Sequence, residues 1–149
     1  MKILIAVDGS AAALEAAQHA LQLARDGLRT EFVLATVQDP TYLYELMLAP
    51  DANALERVTG AVGSRALAGA EALFQKAGMA YQREIASGDP AVALIEVAHR
   101  YGCTAIFMGA RGRGTLHSVL LGSVSTGVLR RAAIPVTVVK AVSANGGTT

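Results

Sequence analysis

The chain is poor in the groups that most often fix a function on their own. Tryptophan is absent, aromatic residues make up 5% of the 149 positions, and Cys103 is the single cysteine. One thiol cannot close an internal disulfide and offers neither a zinc cluster nor a CxxC redox pair, which suits a reducing, cytoplasmic setting. Long apolar runs are missing as well. Lys2 is followed by Ile3 to Val7 before Asp8 interrupts, too short for the core of a signal peptide. No later stretch supplies the roughly 18 apolar residues of a transmembrane helix, so neither export nor a membrane span is expected. A net charge of +1 gives no bulk attraction to nucleic acid.

Acid is scarce in one place in particular. Residues 1–96 carry all 12 acidic residues against 7 basic ones, a net of −5, whereas residues 97–149 carry six basic residues and no acid, a net of +6. An anionic ligand held by the last third would meet no local carboxylate repulsion. With so few charges, a plain fluctuation of surface charge is the alternative.

What is present is apolar content, 52% of residues, enough for one well-filled core and too little chain for two ordinary domains. A single domain over residues 1–142 is expected, with 143–149 a disordered tail. Short β-rich runs alternate with helical ones, as in βαβ units on a parallel sheet. Lys2 to Val7 is aliphatic after its lysine, like a strand covered on both faces. Ser10 caps a helix in which Leu14, Ala17, Leu21 and Ala24 recur until Gly27. Glu31 to Val37 is the second strand, and the connector 38–50, with Tyr42, Leu43, Tyr44, Leu46 and Met47, fits neither period. That cluster reads as a partner surface or as cover for the sheet.

A long helix follows from Asp51 to Ala77 with Leu55, Val58, Val62, Leu73 and Phe74 inward, weakened or broken by Gly60, Gly63 and Gly69, each costing about 1 kcal/mol against alanine. Met79 to Ala86 alternates as a third strand. Gly88-Asp89-Pro90 starts a helix that runs to Gly102, with Asp89 as cap and Pro90 in the first turn. Ala105 to Met108 is the fourth strand, Ser123 to Ala132 a helix and Val136 to Lys140 the fifth strand. The fold class expected is a doubly wound α/β domain, a five-stranded parallel sheet in the order 3-2-1-4-5 with helices on both faces. In that order Asp8, after strand one, neighbours Gly109, after strand four, at the point where the winding reverses and ligands sit.

Gly109, Gly112, Gly114 and Gly122-Ser123 follow a buried strand and precede a helix, the setting in which backbone N–H groups and a helix N-terminus hold phosphate oxygens. Arg111 and Arg113 add charge, and Ser123 and Ser125 add hydroxyl donors. A glycine-rich surface turn has the same composition. Three better-known motifs fail. Thr115 stands where a P-loop needs lysine, and His117 stands where the dinucleotide fingerprint needs glycine. Ser123-Val-Ser125-Thr-Gly127 lacks the first glycine of a nucleophile elbow. His19 and His99 have no partner at ligand spacing and read as structural or solvated, His117 either meets a nucleotide or faces water, and Cys103 reads as a small apolar filler. Asp8 is the one acid assigned to the site, with capping of the following turn as its other role.

The spacing Gly109-x2-Gly112-x9-Gly122-Ser123 resembles the glycine pattern of the ATP-binding branch of the universal stress proteins. The resemblance extends over nearly the whole chain, from Ile3 to Ser10 with its Asp-Gly-Ser ending, through Val37 to Pro40, to Met108–Leu129 and Pro135–Val139. It implies ATP with Mg2+ bridging its phosphates. Adenine would lie against backbone groups at Val37, ribose and α-phosphate near Ala6, Val7 and Asp8, and the phosphates among Met108, Gly109, Arg111, Gly112, Gly122, Ser123, Val124 and Ser125. It also implies a homodimer through the last strand, Val136 to Val139, and an unidentified protein partner. The function expected is a stress-response switch or sensor with at most slow ATP hydrolysis. The alternatives are an ATPase or phosphotransferase, and a nucleotide-free interaction module of the same fold. Where the family commonly carries an acid before the fourth strand, this chain has Cys103-Thr104.

Overall fold

The computed structural model describes residues 1–39, 52–110 and 121–141. The connector with its Tyr42 to Met47 cluster, the loop that holds Arg111, Gly112, Arg113, Gly114 and His117, and the tail lie outside the described residues. The elements are β1 (Lys2–Ala6), α1 (Ala11–Arg25), β2 (Glu31–Gln38), α2 (Ala52–Lys76), β3 (Gln82–Ser87), α3 (Pro90–Arg100), β4 (Ala105–Gly109), α4 (Ser123–Arg131) and β5 (Val136–Val139). All strands run parallel, in the order β3-β2-β1-β4-β5.

The aliphatic run of β1 is explained by its position. It pairs on one side with β2, Ile3 opposite Phe32, and on the other with β4, Ile3 opposite Ala105, and Ile3, Leu4 and Ile5 are fully buried. Alternation sends Ile3, Ile5 and Val7 to one face, with Phe32, Leu34 and Phe107, under Ala17 and Leu21 of α1 and Leu67 and Phe74 of α2. Leu4 goes to the other face with Val33, Ile106 and Met108, under Leu94 and Val97 of α3 and Val128 of α4. A strand with helices on both sides has no solvent face to leave polar. Because crossovers are right-handed, the chain covers one face while it adds β2 and β3 and the opposite face once it crosses to β4 and β5. The winding therefore reverses between β1 and β4.

The helix starts are where the caps lie. The Ala13 N–H donates to Ser10 Oγ at 3.2 Å, and the Val92 N–H donates to Asp89 Oδ2 at 3.1 Å, with Pro90 in the first turn of α3. Two expectations need correction. The glycines do not break α2, which is one helix of 25 residues. A Cβ on Gly63 would lie 2.5 Å from Ile85 Cγ2 of β3, and one on Gly69 would lie 3.0 Å from Leu14 Cδ2 of α1. Glycine there lets the helix lie close to the sheet and its neighbour, and packing repays the lost propensity. The third strand also starts later than the alternation suggests. Gly78, at φ +66, and Met79 close the end of α2, with N–H donors to the carbonyls of Gln75 at 3.0 Å and Phe74 at 2.9 Å. That is a Schellman-type closure, so Met79 serves a helix end and the strand begins at Gln82.

Cys103 is buried in the core beneath α3, and burial pushes its thiol up from the ordinary value, with Lys2 opposing weakly. It stays protonated and inert, as a small apolar filler should. His19 is exposed on α1, with its ring stacked 5.7 Å from that of Phe107.

The glycines of α2 separate propensity from packing. Nothing lies within 4 Å of a Cβ built on Gly60, so Gly60→Ala is expected to stabilise the protein by about 0.5–1 kcal/mol. Gly63→Ala, which drives a Cβ into Ile85, is expected to cost about 1–3 kcal/mol. Urea unfolding of both variants checks the pair, and equal shifts of the same sign would contradict the packing account.

Candidate functional site

At the carboxyl ends of the strands, where the winding reverses, the surface opens into a crevice of about 300 Å³. Ala6, Val7 and Asp8 reach it from the end of β1, Val37 from β2, and Met108 and Gly109 from β4. Gly122, Ser123, Val124 and Ser125 close it from the start of α4. Every sequence-expected site residue within the described range thus meets in one place. Arg111 and Gly112 lie outside that range. Sequence reasoning missed Ser10 and Ala13 of the α1 start, Ala35 of β2, and Pro90 and Leu94 of α3, which also line the crevice. The Asp89-Pro90 signal was legible as a helix start. What it lacked was the step from topology: in a parallel sheet every helix begins at the carboxyl edge, so the α3 start must look into the same opening.

The start of α4 differs from the starts of α1 and α3. Its cap is Gly122, in an extended conformation (φ −69, ψ 167), with no side-chain capping bond. The first intrahelical bond is from Thr126 N–H to the Gly122 carbonyl, 3.0 Å, so the N–H groups of Ser123, Val124 and Ser125 precede the helical ladder. In α1 and α3 a serine and an aspartate take up one such donor each. Glycine takes up none. Among the described residues no acceptor takes these three donors, and with the positive end of the helix dipole they make this a place for an anion.

Two residues hold that helix start against β4. Ser125, 2% exposed, donates its hydroxyl to the carbonyls of Gly109 at 2.8 Å and Ala110 at 2.9 Å, and the Gly122 N–H donates to Ala110 O at 2.9 Å. The Ser125 hydroxyl is therefore occupied by the protein, unlike the free donor that the sequence suggests. Gly109 too has a structural reason for its identity. A Cβ there would stand 2.6 Å from Ala12 Cβ and 2.8 Å from the Ala12 carbonyl carbon, so the missing side chain admits α1, close to the crevice floor.

The crevice has two chemical halves. Val37, Ala35, Leu94, Pro90 and Met108 give one half an apolar lining. Ala35 O accepts from Val7 N–H at 2.8 Å, just past the last β1 pairing, Ala6 opposite Ala35. Parallel-strand alternation turns the N–H and C=O of Val37 to the same side, beyond the point where β1 has turned away. The other half is polar, with Asp8, Ser10 and the α4 start. Asp8 Oδ1 accepts from Ser10 N–H at 2.9 Å, an Asx turn carried by Gly9 at φ +84. Its capping role is real, and it is also the one carboxylate among the described crevice residues.

A model of the universal stress protein family matches residues 1–140. The chain belongs to this family. It is 32% identical over 139 residues, 93% of this chain and 81% of the relative, to the universal stress protein MJ0531 of Methanocaldococcus jannaschii. Among solved structures it is similar to the protein MJ0577, with a TM-score of 0.76 at 25% identity, covering 93% of this chain and 94% of the other. It is also similar to a universal stress protein in complex with cAMP, with a TM-score of 0.60 at 26% identity, covering 95% and 97%. The sheet order and two-faced helix cover described above are those of the family fold.

The Ala12 approach gives a test of Gly109 that needs no ligand. Gly109→Ala is expected to lower the stability of the ligand-free protein by about 1–3 kcal/mol through overpacking against α1. Thermal unfolding without nucleotide measures it, and an unchanged midpoint would leave Gly109 without its packing role.

Proposed function

We propose that the crevice binds ATP and that the protein acts as a nucleotide-dependent regulator, a switch or sensor, of the universal stress protein family. The observation that carries this reading is the start of α4: three backbone donors without intrahelical acceptors, capped by a residue with no side chain, at the reversal point of a doubly wound sheet. The likeness to a family member crystallised with cAMP supports an adenine nucleotide. Adenine is assigned to the apolar half, with the edge groups of Val37 as its backbone partners and Pro90 and Leu94 as its wall. Ribose lies toward Ala6, Val7 and Asp8, and the phosphates lie along Met108, Gly109 and Gly122 to Ser125, with Arg111 and Gly112 completing the site. The phosphates supply the negative charge that the helix start is built to receive. Mg2+ would be held chiefly by phosphate oxygens, in keeping with the few protein ligands this ion takes beside nucleotides, and Asp8 is the one carboxylate that the described crevice residues offer it.

A binder is favoured over a fast catalyst. Phosphoryl transfer needs a group that orients water or an acceptor. Asp8, the one carboxylate among the described crevice residues, already accepts the Ser10 N–H. Turnover below about 1 per second is expected, under the range of ordinary enzymes. Among the described residues β5 is paired on one side only, with β4, an edge that suits a homodimer, through which occupancy would reach a protein partner in the cytoplasm.

Titration of the purified protein with labelled ATP and magnesium tests the central claim, and no binding at millimolar nucleotide refutes it. Gly122→Asp gives a sharper form. A carboxylate at the cap takes up the α4 donors and is expected to raise stability by about 0.3 kcal/mol, as a good cap replaces glycine. The same carboxylate is expected to weaken ATP by at least about 100-fold, ~2.7 kcal/mol. Stability and affinity moving in the same direction would place the phosphates elsewhere.

A further inference from the structure

Ser125 is one of two polar side chains that are buried among the described residues, the other being Thr36 of β2. A hydroxyl carries a single proton, and two carbonyl oxygens, those of Gly109 and Ala110, stand within 2.9 Å of Ser125 Oγ. The Ala110 carbonyl receives the Gly122 N–H as well, and the Ala110 N–H donates to Val139 O of β5 at 2.8 Å. The first turn of α4 is thereby pinned at both its ends, by Gly122 and by Ser125, to one residue, Ala110, whose N–H is itself bonded to the edge strand. Further along, a Cβ on Gly127 would lie 2.7 Å from Ala91 Cβ, and Val128 is buried. Packing there fixes the axis of α4 against α3. In the first turn Val124 packs against the same core, and the hydrogen bonds of Gly122 and Ser125 tie that turn to the end of β4.

We infer that Ser125 is a positioning residue: its hydroxyl does not touch a ligand but sets the open N–H groups of Ser123, Val124 and its own backbone at the distance and angle from β4 that an anion requires. The inference rests on the assignment of phosphate to this helix start. Hydrogen bonds of this kind gain their value from being made before the ligand arrives, since an ordered donor set loses little freedom on binding. Replacing the hydroxyl by hydrogen leaves the buried Gly109 carbonyl short of the Ser125 donor, while the Ala110 carbonyl keeps only the Gly122 N–H. The helix start then shifts or frays to find one.

The test pairs two readouts on Ser125→Ala and Ser125→Thr. The first is affinity for ATP and for adenosine. Ser125→Ala is expected to weaken ATP about tenfold, by the loss of one buried hydrogen bond's worth of alignment, and adenosine less than about twofold. Ser125→Thr, which keeps the hydroxyl, is expected to recover most of the loss. The second is amide hydrogen exchange in the absence of nucleotide. The N–H groups of Gly122 and Thr126 are expected to exchange about tenfold faster in Ser125→Ala, while those of Ile3 to Ile5 in β1 keep their rates, because the effect is local opening. If ATP affinity falls but the ligand-free exchange is unchanged, the hydroxyl contacts phosphate directly and the inference is wrong. It is equally wrong if ATP affinity does not change. Should exchange accelerate in β1 as well, the alanine variant is globally loosened, and failure of Ser125→Thr to restore ATP affinity then counts against the inference. A wild-type protein that binds no nucleotide removes the site itself, an outcome distinct from all of these.

Discussion

Everything at the carboxyl edge depends on β1 being bonded on both sides and buried on both faces. Because β2 and β4 flank it, the chain must leave β1 in one direction and return past it in the other, and the right-handed crossover rule then puts α1 and α2 on one face and α3 and α4 on the opposite face. The crevice is the gap left by that reversal. Strands end there, and residues at the starts of α1, α3 and α4 line it. No residue has to be placed by special strain for such a gap to exist, which is why the fold offers it whatever the loop sequence. What the loop sequence decides is how the gap is finished, and in this chain it is finished with a helix start that has no side-chain cap.

The glycines show how far identity can be read as function. Gly109 belongs to a glycine pattern that suggests a phosphate cradle, yet its Cβ position is taken by Ala12 of α1, so helix packing alone would require glycine. Gly127 is bound to its identity by Ala91 in the same manner. Gly122 is different: an extended backbone at φ −69 does not demand glycine, and serine or aspartate would cap the helix better. Its glycine gives up capping energy and leaves three donors open. Its backbone conformation does not account for its identity, and the uncapped helix start that it leaves carries more weight for an anion site than the pattern as a whole.

Most of the fold was legible because β1 is an aliphatic run after its lysine, Gly27, Gly78 and Gly102 close the helices before β2, β3 and β4, and Ser10 and Asp89 mark their helices by ordinary capping chemistry. The errors were of one kind. Gly63 and Gly69 lower helix propensity locally, and the packing that offsets it, against Ile85 and Leu14, comes from residues far off in sequence. Met79 alternates like a strand residue but is held by the end of α2. The site followed the same rule. Asp8, Gly109 and the α4 start could be brought together from strand order alone, and the same topology, carried one step further, brings in Pro90 and Leu94 at the α3 start. The occupied hydroxyl of Ser125 depends on where two carbonyls fall, which periodicity does not contain.

The role of Asp8 joins these threads. A carboxylate beside an anion site would ordinarily repel its ligand, and the last third of the chain, which supplies the α4 start, carries no acid at all. Asp8 is tolerable there because one of its oxygens is committed to the Ser10 N–H, at 2.9 Å. On the proposed reading the polar half offers an acceptor at the end of β1 and donors at the α4 start: hydroxyls of a sugar can meet the carboxylate while phosphate oxygens meet the helix. A carboxylate already holding a turn is poorly placed to draw a proton from water at the far end of a triphosphate. The same Asx turn that makes α1 begin where it does therefore argues, on the proposed reading, for a protein that retains its nucleotide rather than spends it.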